Sequence, residues 1–238
     1  KNAEDISGVN NRYQLSEVNK IMQRRIVKKL MLEGVTIIDP DSTYIEASVT
    51  VEKDVTIYPG CILEGNTVIQ EDSVIGPYTR IKDGKIDRGV KIQNSVVLES
   101  SIGEGTSIGP FAYLRPGNKI GKHAKVGDFV EMKNSTFGDN SKASHLTYVG
   151  DGDVGSNVNL GCGVVFVNYD GKNKYRTYVG DNSFVGCNVN LVAPVRVNEN
   201  TYVAAGTTVT KDVPQDSLAI GRARQENKEG WVTKRKNK

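Results

Sequence analysis

A period of six residues constrains this chain more than any other feature. Val179, Val185, Leu191, Val197, Val203 and Val209 recur at that interval, as do Ile45, Val51, Ile57, Leu63, Ile69, Ile75 and Ile81. An α-helix repeats about every 3.6 residues and a strand about every two, so neither alone carries this rhythm. The position four after each aliphatic is usually small or β-branched: Val49, Val55, Thr67, Ser73 and Thr79, then Ser183, Val189, Val195, Thr201 and Thr207. Such a pattern specifies a parallel β-helix, in which three hexapeptides close one triangular coil of about 18 residues with the aliphatics inside. Each coil buries its interior only against its neighbours, so the 238 residues are read as one elongated stack.

The rhythm slips in places. Ile81 to Ile86 is a five-residue step, and the pattern loosens between Phe137 and Val149 around Ser144-His145-Leu146-Thr147-Tyr148. Asn168 to Thr177 is a polar insertion bearing Tyr169 and Tyr175, which has to leave the coil. Before the repeats, Leu15, Val18, Met22, Ile26 and Leu30 are spaced as on one face of a helix from Arg12 to about Glu33, with Gly34 as its C-terminal cap. After Val213 the repeat stops at Pro214, and a basic tail containing Trp231 follows. The expected divisions are 1–40, 41–216 and 217–238.

Composition narrows the function classes. With 31 basic and 28 acidic residues, the net charge of +3 makes no case for nucleic acid. No apolar run is long enough to span a membrane, no signal peptide is visible, and three scattered cysteines fit a reduced, cytoplasmic setting. His123 lies inside a regular repeat and reads as a surface residue. His145 lies where the rhythm breaks, which makes it the better general base. Glu131 is the expected partner to orient its imidazole. Arg115, Lys133 and Lys174, brought together by stacking, are suited to holding a phosphate. Two histidines 22 residues apart do not supply the three ligands of a zinc hydratase. A non-catalytic trimeric scaffold remains the alternative outside enzymes.

Several segments go beyond the generic repeat: Leu114-Arg115-Pro116-Gly117, Val130-Glu131-Met132-Lys133, Ser141-Lys142-Ala143-Ser144-His145-Leu146-Thr147-Tyr148, Asn168-Tyr169-Asp170-Gly171, Ala204-Ala205-Gly206-Thr207-Thr208-Val209-Thr210 and Lys228-Glu229-Gly230-Trp231. Together they resemble the bacterial bifunctional enzymes that acetylate glucosamine-1-phosphate and then uridylylate the product. Hexapeptide proteins of this kind resemble left-handed β-helices, and that hand is expected here. The resemblance implies acetyl transfer from acetyl-CoA to the amine of glucosamine-1-phosphate, for UDP-N-acetylglucosamine and cell-wall synthesis, in a homotrimer. A related acyltransferase with a different amino-sugar acceptor is the alternative.

Carried across by matching motif, His145 is the base. Arg115, Lys133, Tyr148, Asn159 and Lys174 hold the sugar phosphate, and Cys162, Asn168, Tyr169, Cys187, Ala205 and Arg222 contact acetyl-CoA. Cys162 and Cys187 stand where the family more commonly has a small or hydroxyl residue. Residues 1 to about 11 resemble the end of the family's nucleotidyltransferase domain and the following helix resembles its linker. Asn10 matches a Mg2+ ligand that would act only in the intact two-domain enzyme, so uridylyl transfer is not expected of this chain.

Overall fold

The computed structural model describes residues 8–236; the first seven residues of the expected N-terminal remnant and the last two of the basic tail lie outside it. Among the described residues the strands form three parallel sheets of 11, 10 and 9 strands, called here the first, second and third sheets. Up to Thr208–Val209 successive strands in the chain go to successive sheets, so each of these coils contributes one short strand to each; the last coil meets the third sheet only by a bridge at Val213. The expected parallel β-solenoid is what forms.

The register explains the six-residue period. In the first sheet Ile57, Ile75, Ile92, Ile108 and Val126 are consecutive partners, and in the third sheet Val51, Ile69, Ile86, Ile102 and Ile120 are. Ile86 keeps its place despite the five-residue step, because the shortening falls in the turn at Asp83-Gly84. Ile57, Leu63, Ile69, Val185, Leu191 and Val203 are all fully buried, each stabilising the stack by about 1.5–3 kcal/mol.

The small position serves a second purpose. Apart from the buried Thr177 hydroxyl before Val179, which has no partner among the described residues, its hydroxyls illustrate the pairing: Ser141 Oγ donates to the Gly155 carbonyl at 2.6 Å and accepts from the Val158 N–H at 2.9 Å. Thr106 does the same with the Gly121 carbonyl and the Ala124 N–H, at 2.7 and 3.0 Å. Each such residue ties its corner to the next coil, and the buried Asn118 does so with a carboxamide, accepting the Ser135 N–H at 3.3 Å.

The stack begins earlier and ends later than the repeats alone indicate. Thr36–Ile37 already pairs with Thr56–Ile57, and Leu218–Ala219 still pairs with Tyr202–Val203. The helix α1 (Arg12–Leu32) lies over the first coil. Asn11 caps it by accepting the Gln14 N–H at 2.8 Å, and Gly34 follows with φ +97°, a conformation that favours glycine. Only its C-terminal part packs: Val27 and Leu30 are buried, whereas Leu15 and Met22 of the expected apolar face are exposed. Gln23 completes the lid. Its carboxamide donates to the Ile45 carbonyl at 3.1 Å and accepts the Ile45 N–H at 3.0 Å, replacing the strand that the second sheet lacks at its first edge.

No helix among the described residues is long and apolar enough to cross a membrane.

Candidate functional site

The corner between the first and second sheets gathers chemistry that is scattered in the sequence. Ala143, Leu160, Val185 and Val203 are consecutive register partners in the first sheet. Two residues beyond each lie His145, Cys162, Cys187 and Ala205. The residue that follows each of these (Leu146, Gly163, Asn188, Gly206) has a positive φ of 48°, 74°, 54° and 71°. Four coils therefore turn the same corner in the same way. Backbone bonds join neighbouring steps, Asn188 N–H to the Cys162 carbonyl at 2.8 Å and Gly206 N–H to the Cys187 carbonyl at 2.9 Å. Arg222 extends the column, its guanidinium donating to the Ala205 carbonyl at 2.6 Å.

At one end of this column His145 Nδ1 lies 2.5 Å from the Asp128 carboxylate. Asp128 sits one coil earlier and is the direct register partner of His145. The hydrogen bond to His145 holds the Asp128 carboxyl below the usual carboxylate range, with the nearby charges of His145 and Lys125 adding to it. With the proton on Nδ1 and shared with Asp128, Nε2 keeps its lone pair and can accept a proton. Glu131, expected to orient the imidazole, does not. It pairs instead with Arg115 at 3.0 Å. Asp128 was legible in principle, since it lies 17 residues before His145, the length of that coil. His123 is exposed and stands in a regular turn with φ +52°, as expected of a surface residue.

The second sheet carries a cationic cluster. Tyr113 and Leu114 pair with Glu131 and Met132, so Arg115 follows in line with Lys133. Lys133 lies 3.8 Å from Asp151. The adjacent Lys174 ammonium, together with burial and the charge of Arg115, pulls the Lys133 pKa down, against the opposing pull of Asp151. Burial pushes the Asp151 carboxyl up, but hydrogen bonds from Asn134 at 2.7 Å and Asn168 at 2.6 Å, and the charges of Lys133 and Lys174, outweigh it and leave its pKa lowered. The Tyr148 hydroxyl leans over Gly150, where any side chain would collide with it. Arg115, Lys133, Tyr148 and Lys174 thus share one neighbourhood rich in donors. That arrangement suits a phosphate monoester.

Other expected residues stand apart. Asn159 belongs to the first sheet, between Lys142 and Phe184 in register, and so on a different side of the solenoid from Arg115 and Lys133. Asn168 is buried and its carboxamide is turned inward to Asp151. Tyr169 is exposed, its hydroxyl donating to the Gly171 carbonyl at 2.7 Å. The 168–177 excursion is braced by Asp170, which accepts from the Lys172 and Asn173 N–H groups at 2.8 and 2.6 Å. Arg176 clamps its end, bidentate on Asp153 at 2.9 and 2.6 Å. Asp151 and Asp153 escaped the sequence reading because carboxylates are common on solvated coil faces. Asn10 precedes α1, its backbone N–H donating to Gln14 Oε1 at 2.7 Å, and no cluster of three or more His, Cys, Asp or Glu that could hold a metal occurs among the described residues.

Comparison with known proteins follows the same lines. The family described as bacterial transferase hexapeptide (six repeats) matches residues 48–83 and 176–211. The bifunctional protein GlmU of Clostridium botulinum strain 657 is 57% identical over 98% of this chain, and 51% of its own length is covered. GlmU of Clostridium kluyveri ATCC 8527 is likewise 57% identical, with the same coverage. The chain thus spans about half the length of the curated relatives it matches. Among solved structures, a UDP-N-acetylglucosamine acyltransferase superposes with a TM-score of 0.56 at 20% identity, over 78% of this chain and 71% of that one. The acyltransferase LpxA of Bacteroides fragilis 9343 gives 0.54 at 20% identity over the same shares, a likeness of fold.

Proposed function

This chain is related along almost its whole length to bifunctional GlmU proteins, and from that premise we propose that it is an acetyltransferase moving the acetyl group of acetyl-CoA to the amine of glucosamine-1-phosphate. The observation that carries the reading is the His145–Asp128 pair, set at the head of an open corner column and on the same coils as a cationic cluster.

In this mechanism the acceptor's phosphate is held by Arg115, Lys133 and Lys174, with Tyr148 beside them. His145 Nε2 takes a proton from the attacking amine while Asp128 stabilises the imidazolium through Nδ1. The amine nitrogen attacks the thioester carbonyl and the carbon–sulfur bond breaks. The His145 imidazolium gives its proton to the departing sulfur, so that coenzyme A leaves as the thiol. The column of Cys162, Cys187 and Ala205 accommodates the donor, with Arg222 at its far end for the anionic part of coenzyme A.

The working unit is proposed to be a homotrimer. Two features support it: Asn159 is displaced from the rest of the sugar-phosphate set, and the exposed apolar side chains of Phe111, Phe129 and Leu146 line the corner next to His145. A single test separates the reading from a scaffold. The chain should acetylate glucosamine-1-phosphate and use unphosphorylated glucosamine poorly. Absence of acetyl transfer, together with no heat of coenzyme A binding in calorimetry, would leave the scaffold.

A further inference from the structure

Three cysteines are present and none is bonded: Cys61 is buried, Cys162 half-buried and Cys187 exposed. Cys61 lies inside the stack with its thiol directed at the Ile75 carbonyl, 3.7 Å away. The other two occupy equivalent positions on adjacent coils, each two residues beyond the register partners Leu160 and Val185. Neighbouring parallel strands lie about 4.7–4.9 Å apart. Disulfides bridge Cα separations of about 4.4–6.8 Å, so the coil spacing falls inside the permitted window. The coils are also close here, since a side chain added at Gly161 would strike the backbone of Cys187.

We propose that Cys162 and Cys187 are a redox-sensitive thiol pair that a disulfide of coenzyme A oxidises, closing the donor column. The closure rests on the function proposed above; the pairing of the thiols does not. The exposed Cys187 thiolate attacks one sulfur of coenzyme A disulfide, forming a mixed disulfide and expelling one coenzyme A thiolate. Cys162 then attacks the Cys187 sulfur, which forms the Cys162–Cys187 bond and expels the second coenzyme A. The two cysteine protons end on the two released thiols, and the two electrons lost by the cysteines reduce the disulfide. The sulfurs drawn together no longer leave the column open to acetyl-CoA.

The test is peptide mapping of the whole chain after incubation with coenzyme A disulfide or, in a parallel arm, glutathione disulfide. Denaturation in an alkylating agent precedes digestion. The expected result is a cross-link between the Cys162 and Cys187 peptides, with Cys61 alkylated. The reaction should be faster with coenzyme A disulfide. Coenzyme A binding in calorimetry should be lost and return after reduction. Cys162→Ser should stop at a mixed disulfide on Cys187, one coenzyme A heavier.

Both cysteines fully alkylated after treatment, or a mixed disulfide on the parent chain that never resolves, would overturn the pair. A cross-linked chain that binds coenzyme A as before would overturn the closure. Equal rates with the two disulfides, and no coenzyme A binding by the reduced chain, would defeat the acetyltransferase reading while the cross-link still established the pair.

Discussion

Removing the His145 imidazole tests the proposed base directly. His145→Ala should lower kcat by about 10²–10⁴ with folding intact, the range a general base supplies, and His123→Ala should leave it near the parent. Asp128→Asn keeps the shape but loses the charge that favours the imidazolium. Steady-state kinetics should show kcat falling with KM little changed. A KM defect alone would assign Asp128 to substrate binding instead. Arg115→Ala should weaken use of the phosphorylated sugar by about 10- to 150-fold, from about 1.5–3 kcal/mol for a charge-assisted contact. With unphosphorylated glucosamine that defect should shrink. If it does not, Arg115 acts elsewhere than on the phosphate, for which its pair with Glu131 is the contact the structure offers.

At the scale of elements, the coil and the place of its excursion at 168–177 were legible, and the side-chain partners that hold that excursion were not. A strict period fixes which face each aliphatic takes, so the buried rows follow from counting alone. Leu191→Asp, at a fully buried step, should cost several kcal/mol and lower the melting temperature sharply. Counting fails where residues are added or lost, and the partners that matter lie across those places. Asp128 meets His145 one coil on, Asp151 meets Asn168, and Asp153 meets Arg176. The last two pairs anchor the 168–177 excursion and make it sensitive to acid. Hydrogen bonds from Arg176 lower the Asp153 pKa, helped by Thr136 and by the Arg176 and Arg196 charges, and the Asp151 pKa is lowered as well. A depressed folded pKa gives stability that is full above the unfolded value of about 3.9 and is lost as pH falls through the folded one. Pepsin should therefore begin to cut within 168–177 as pH drops below about 4, before the coils themselves yield. Arg176→Ala should move that onset to higher pH; an unchanged onset would show that the ion pair does not hold the loop.

For the whole molecule, the decisive feature is a row of apolar side chains that a lone chain has no reason to keep. Tyr78, Phe111, Phe129 and Leu146, with Asn94 at the step between the first two, are 71%, 56%, 58% and 57% exposed. All four adopt positive φ, between 47° and 59°, a conformation that costs bulky residues of order 1–3 kcal/mol each. Phe111 and Phe129 stack with ring centroids 5.6 Å apart. Exposed, strained and apolar together, these residues fit a surface covered by another copy of the chain. The row leads directly to His145, which follows the turn of Asp128-Phe129 by one coil. Covering it with a second subunit would also bring that subunit's surface to the base. Sedimentation velocity at micromolar concentration should give about three times the 26.0 kDa chain mass. Phe129→Asp should dissociate the assembly while circular dichroism still reports the β-solenoid, since Phe129 lies outside the stacked interior. Acetyl transfer should fall with dissociation, and mixing this variant with His145→Ala chains should not restore it. A monomer that kept full activity would remove the need for any neighbouring subunit at the site.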